Sequence, residues 1–155
     1  MKVTELLGQK LKSPDVMDLL ETHDVDVIYD FDRTYENLPD SYWAPLEDKG
    51  IQLKFDQDQN LDVIFVYRKE KEGFSIADTE FVGIEGFDTY DEVKKMTIEK
   101  AIPTTEGEAD FLGEKTKWIR LEHDDHSVHY SFDPTNPDKI TIQKRSEQGS
   151  ADNVG

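Results

Sequence analysis

Residues 51–67 read IQLKFDQDQNLDVIFVY, and their alternation sets the class of fold. Ile51, Leu53 and Phe55 alternate with Gln52, Lys54 and Asp56. After the turn-rich DQDQN, Leu61, Val63, Phe65 and Tyr67 alternate with Asp62, Ile64, Val66 and Arg68. Successive side chains of a strand point to opposite faces, so this period of two, broken by a turn, marks a β-hairpin with one apolar face. Ile64 and Val66 make the second strand apolar on both faces, which suits an interior position in a sheet.

On the N-terminal side, Val3, Leu6, Leu7 and Leu11 recur at helical spacing. Ser13 then offers an N-cap and Pro14 a first helical position, with Asp15 a favourable first-turn charge. Val16, Leu19 and Leu20 form the stripe of a second short helix ending near Thr22. Val25–Tyr29 reads as a short strand. Residues 30–48, interrupted by Pro39 and Pro45, read as a long loop.

On the C-terminal side, Phe74–Gly83 is expected to be a further strand. Thr89 and Glu92 have the spacing of a capping box, and behind it Val93, Met96 and Ile98 are expected to face inward. Residues 103–114 read as a loop. Lys117–Glu122, His126–Asp133 and Lys139–Lys144 form a three-strand meander. The end, RSEQGSADNVG from 145 to 155, has the composition of a disordered tail. The sum is an α+β domain over residues 1–144, its antiparallel sheet covered by short helices on one face. It is built from two similar halves, about 1–72 and 73–144.

The halves follow one plan: helix, Trp, strand, turn, strand. LKFDQDQNLDVIFV and YSFDPTNPDKITIQ align without a gap from Phe55 and Phe132. The helix GFDTYDEVKKM, followed by a strand led by Trp118 and further strands, is similar to the module of the BamE (SmpA/OmlA) and beta-lactamase-inhibitor-protein group. The resemblance covers residues 85–143, with 3–68 as a looser second copy. It implies a scaffold whose sheet face and loops grip another protein. The chain departs from both relatives: it has no cysteine, hence neither the lipidated residue of the lipoproteins nor the disulfides of the inhibitors. Small acidic bacterial immunity proteins share its general look.

Composition narrows the partners. Among 155 residues, 35 acids face 18 bases, for a net charge of -17. Such a field repels nucleic acid and anionic membranes and attracts basic proteins. The absence of cysteine excludes disulfides, thiolate zinc sites and cysteine nucleophiles. No run approaches the ~20 apolar residues of a membrane span, and the first residues carry no secretory h-region. A cytoplasmic protein is expected.

Two motifs offer chemistry. Asp30, Asp32 and Thr34 spell D-x-D-x-T after an apolar run, the pattern of haloacid-dehalogenase-type phosphotransferases. Resemblance would make Asp30 the nucleophile and Asp32 the acid/base, with Mg²⁺ offsetting phosphate charge. That chemistry belongs to a parallel strand-helix scaffold, whereas hairpins follow here. Arg33 also replaces the usual small residue. His123, His126 and His129 suggest zinc. With Asp124-Asp125 as a two-residue turn, however, His123 pairs with His126 and Arg120 with His129, and alternation sends His129 to the other face. No catalytic residue, metal site or cofactor is therefore assigned.

The remaining signal is aromatic. Tyr35, Glu36, Asp40, Tyr42 and Trp43 place large rings among acids, a composition suited to protein contacts. Trp118 and Arg120, on the outward face of the meander, form a second candidate surface. The expected function is a non-enzymatic, immunity-type inhibitor that occludes a basic toxin domain such as a nuclease. The alternatives are a Mg²⁺-dependent phosphatase, and an adaptor or nucleic-acid mimic for a basic host protein.

Overall fold

The computed structural model describes residues 2–30, 40–70, 73–111, 113–133 and 136–145. The chain divides into two compact units, Met1–Glu85 and Gly86–Gly155. Both contain antiparallel strands and short helices, an α+β architecture.

The first unit opens with a single 3-10 turn, Val3–Leu6, instead of the helix suggested by the apolar spacing through Leu11. Tertiary bonds compete with helical ones. The amides of Gly8 and Leu11 donate to the carbonyls of Leu61 and Gln59, at 2.9 and 2.8 Å. Helix α1 spans Pro14–Thr22 with Val16 and Leu20 buried. Ser13 holds the N-cap position, but its hydroxyl bonds to Gln9 Oε1 rather than to a helix amide.

Strands β1 (Ile28–Asp30), β2 (Ser41–Leu46), β3 (Ile51–Phe55) and β4 (Leu61–Tyr67) follow, joined in chain order by antiparallel pairing. β2 lies inside the stretch read as a loop. Its Pro45 argues against a central strand, yet β1 pairs only as far as Trp43. Beyond that point no strand among the described residues pairs with β2 on the β1 side, where a residue without an N–H is tolerated.

The hairpin register corrects the simple alternation. Leu53 faces Ile64 and Ile51 faces Val66, but Lys54 faces Val63 while Phe55 faces Leu61. The extra residue, Asp62, makes a bulge, and the bulge turns Leu61 onto the face of Ile64 and Val66. Ala44, Leu46, Ile51, Leu53, Phe55, Leu61, Ile64 and Val66 are all buried. Phe65 and Tyr67, expected on that face, share the other one.

Phe74–Gly83 is not a strand. Its only regular element is α2, Thr79–Val82, capped by the Asp78 carboxylate accepting from the Glu80 amide at 3.0 Å. The segment is tied to the first unit by bonds from Ser75 N–H to the Glu47 carbonyl and from Ala77 N–H to the Tyr67 carbonyl.

In the second unit, α3 spans Tyr90–Glu99. The Thr89 hydroxyl accepts from the Glu92 amide at 3.2 Å and donates to the Glu92 carboxylate at 3.1 Å. Val93 is fully buried; Ile98, expected inward, is 71% exposed. The four-residue helical step brings Thr97 under the buried face instead, its hydroxyl satisfied by the Lys94 carbonyl at 2.8 Å. α3 packs against two of the strands that follow, β6 and β7, in the series β5 (Thr104–Phe111), β6 (Glu114–Glu122), β7 (His126–Asp133) and β8 (Asn136–Lys144).

These four strands form an antiparallel meander. β5 replaces the loop expected at 103–114. TTEGEADF has little intrinsic strand preference, but pairing with β6 from Thr104–Leu121 to Phe111–Glu114 satisfies its backbone. Ile119, Leu121, Val128, Tyr130, Phe132, Ile140 and Ile142 are buried. Here too the register shifts beside the last aromatic: Ser131 faces Lys139, while Phe132 faces Pro137. The tail expectation falls on residues 146–155, outside the described residues.

Candidate protein interface

β2 carries the first candidate surface. Tyr42 and Trp43 were expected in one continuous loop; as neighbours in a strand they point to opposite faces. Tyr42 is paired with Phe55 and stacks on Tyr29, with centroids 4.9 Å apart. Tyr29 in turn donates from Oη to Asp40 at 2.6 Å. Trp43 lies on the other face, stacked on Phe65 at 5.9 Å with its planes 12° apart. Its indole N–H donates to Ser41 Oγ, and Lys54 Nζ stands 5.9 Å from its ring. Tyr35 and Glu36 lie outside the described residues.

The second surface lies on β6. Trp118 faces Ser131 on one side and Gly107 on the other, and Arg120 faces His129. Alternation therefore places Trp118, Arg120, His129 and Lys139 on the face opposite the buried one. The Trp118 and His129 rings are 5.1 Å apart. Arg120 is ion-paired with Glu122, which also holds Arg145. Burial, then the positive charges of Arg120 and Lys139, hold His129 below the usual imidazole range. Sequence reasoning paired His129 with Arg120 but left it out of the surface. The signal was the register itself, which also sets His129 diagonally beside Trp118.

The histidine turn forms as read. His123 N–H donates to the His126 carbonyl at 2.9 Å, and the two rings stack at 4.7 Å. His126 Nδ1 meets Asp125 Oδ1 at 2.6 Å. Among the described residues no group of three or more histidine, aspartate or glutamate side chains converges to hold a metal. Asp32, Arg33 and Thr34 of the phosphotransferase motif lie outside the described residues. β1, which ends at Asp30, pairs antiparallel with β2.

In comparisons with known proteins, no family model, curated protein or solved structure matches this chain significantly. No helix among the described residues is long and apolar enough to cross a membrane.

Proposed function

We propose that the chain is an acidic protein-binding module, an immunity-type inhibitor that occludes a basic bacterial toxin domain in the cytoplasm. The carrying observation is a pair of partly exposed tryptophans, each on the face opposite a buried sheet face, in a chain of net charge -17. Trp43 faces Lys54, the residue before Phe55; Trp118 faces Ser131, the residue before Phe132. Aromatic side chains supply contact area at low entropic cost, and the net negative charge of the chain steers a basic partner.

The same equivalence supports a second part of the proposal: the two units are copies of one module. Val16 and Leu20 of α1 correspond to Val93 and Thr97 of α3, all buried. Leu53–Ile64 and Ile51–Val66 correspond to Tyr130–Ile140 and Val128–Ile142. Both hairpins shift register at the residue pair before and at the phenylalanine. On this correspondence the second turn is one residue shorter, so the ungapped alignment slips by one after Phe132. The module order supports the likeness to the BamE and beta-lactamase-inhibitor-protein group.

The test is co-expression. The product of the adjacent gene should kill cells when produced alone and spare them when this protein is present. The purified pair should form a complex that weakens as salt rises. A neighbouring product that is harmless and forms no complex overturns the reading.

A further inference from the structure

We propose that the junction between α1 and β1 seats a segment of the partner in which lysine or arginine flanks a large aliphatic residue. This rests on the reading of the chain as an acidic protein-binding module and says where, and by what chemistry, the partner docks.

Exposed large hydrophobic residues are few among the described residues, and four of the six, Met17, Val27, Ile28 and Tyr29, fall within one short stretch of chain. Two clefts meet there. One, of about 530 Å³, is mostly apolar, lined by Leu11, Met17, Leu20, Val25 and Val27, with Lys12, Glu21 and Asp24 alongside. The other, of about 770 Å³, is lined by Asp24, Asp26, Glu47 and Asp48, together with His23 and Lys49. Asp24 and Val25 line both clefts, so a slot for an aliphatic side chain and an acidic cleft share one wall.

That wall is built by how α1 ends. The Val25 amide bonds back to the Leu20 carbonyl at 2.9 Å, and Asp24 adopts φ 51°, a left-handed turn that aspartate tolerates better than most residues. Lys49 is the one ammonium among the residues lining the acidic cleft. His23 lies edge-on to the Phe81 ring, and Lys49 Nζ stands 5.4 Å over that ring. The four carboxylates therefore outnumber the positive charge beside them.

Charge selects the occupant. A second copy would bring its own excess of acid against this one and be repelled. A small apolar ligand would use the slot and leave the carboxylates idle. A basic segment with an aliphatic residue uses both: apolar burial in the slot, and Lys or Arg against Asp24, Asp26, Glu47 and Asp48. Contiguous exposed apolar surface of this kind marks interaction sites.

The experiment titrates the isotopically labelled full chain with a short peptide of alternating lysine and leucine. Control peptides carry glutamate for lysine, or serine for leucine. Saturable NMR shifts are expected at Met17, Leu20, Asp24, Val25 and Val27. V27D should lower affinity about tenfold, the effect of setting a charge in an apolar contact. D24N/D26N should weaken binding severalfold and flatten its salt dependence. Neither control peptide should match the parent. Val27 is solvent-exposed, so V27D should fold; if its amide spectrum collapses, Met17→Gln carries the same measurement. Shifts spread evenly over the acidic surface, affinity indifferent to V27D, or equal binding of a control peptide overturns the proposal. Self-association through this face, abolished by V27D, also overturns it. A saturable complex here in a protein that neutralises no toxin keeps this proposal and removes the function above. Neutralisation undiminished by V27D does the reverse.

Discussion

The indole of Trp118 lies against Gly107 of the neighbouring strand, so close that a β-carbon at 107 would stand 2.8 Å from Cζ2. The glycine that weakens β5 as a sequence signal is what lets the ring lie on its backbone. Gly107→Ala should displace the indole and cost on the order of 1 kcal/mol of stability. Fluorescence in a Trp43→Phe background would report the displaced ring, and urea unfolding the cost. Unchanged Trp118 emission would show that the ring does not rely on this gap.

Gly50 is the harder constraint. Its φ is +68°, and a β-carbon there would stand 2.2 Å from the Ser75 carbonyl oxygen and 2.6 Å from the Ala77 amide nitrogen. Backbone cannot swing aside as a side chain can, so Gly50→Ala combines left-handed strain with displacement of the 75–77 segment. Chemical denaturation should register a loss of about 3 kcal/mol. A loss near that of Gly107→Ala would mean the segment yields easily.

Acid should weaken the fold in two stages. Burial first, then His126, lowers the titration of His123 below 6.5; burial first, then Arg120 and Lys139, does so for His129. The unfolded chain binds these protons first. Stability therefore holds above 6.5 and falls as pH drops below it, toward the lowered folded values. Asp125 acts at lower pH. Its carboxyl lies below the usual 3.8 chiefly through the hydrogen bond with His126, and its contribution is lost as pH falls through that lowered value. Unfolding measured on both sides of 6.5 tests the first stage. Arg120→Gln should raise the NMR titration midpoint of His129, and an unmoved midpoint would sink this account.

At the alkaline end, burial and then the bond to Glu106 push Tyr90 up to about 12. Tyr90 Oη donates to Glu106 at 2.5 Å, and Lys94 holds the same carboxylate at 2.7 Å. A raised folded value means that this contribution is intact below 10 and lost between about 10 and about 12. Phenolate absorbance should show a late-titrating component that is lost in Tyr90→Phe. In that variant the Glu106 carboxyl, held low by Lys94 first and Tyr90 second, should titrate closer to its usual value.

Much of the second unit was legible because its strands alternate strongly. The pairing of Ile119 with Tyr130, Leu121 with Val128 and Arg120 with His129 follows from a two-residue turn at Asp124-Asp125. The candidate surface was legible to the same extent: once the register is known, the faces of Trp118 and Arg120 are known. The first surface was harder to read. SYWAPL looks like a loop because proline and serine weaken any strand signal, and only pairing with β1 and β3 makes it a strand. The junction at Met17 and Val27 has no sequence signature at all, since an apolar residue on a short helix normally signals core.

By itself the sequence determined the antiparallel α+β class, both hairpins, α1 and α3 and the acidic field, because period-two alternation, caps and charge are local properties. The tertiary structure alone decided β2 and β5, the two register shifts, the meeting of Trp118 with Gly107 and the exposure of Ile98 in place of Thr97. Each depends on a partner strand or a packed face distant in the chain. There a backbone hydrogen bond or a buried side chain outweighs the local preferences on which a sequence reading rests.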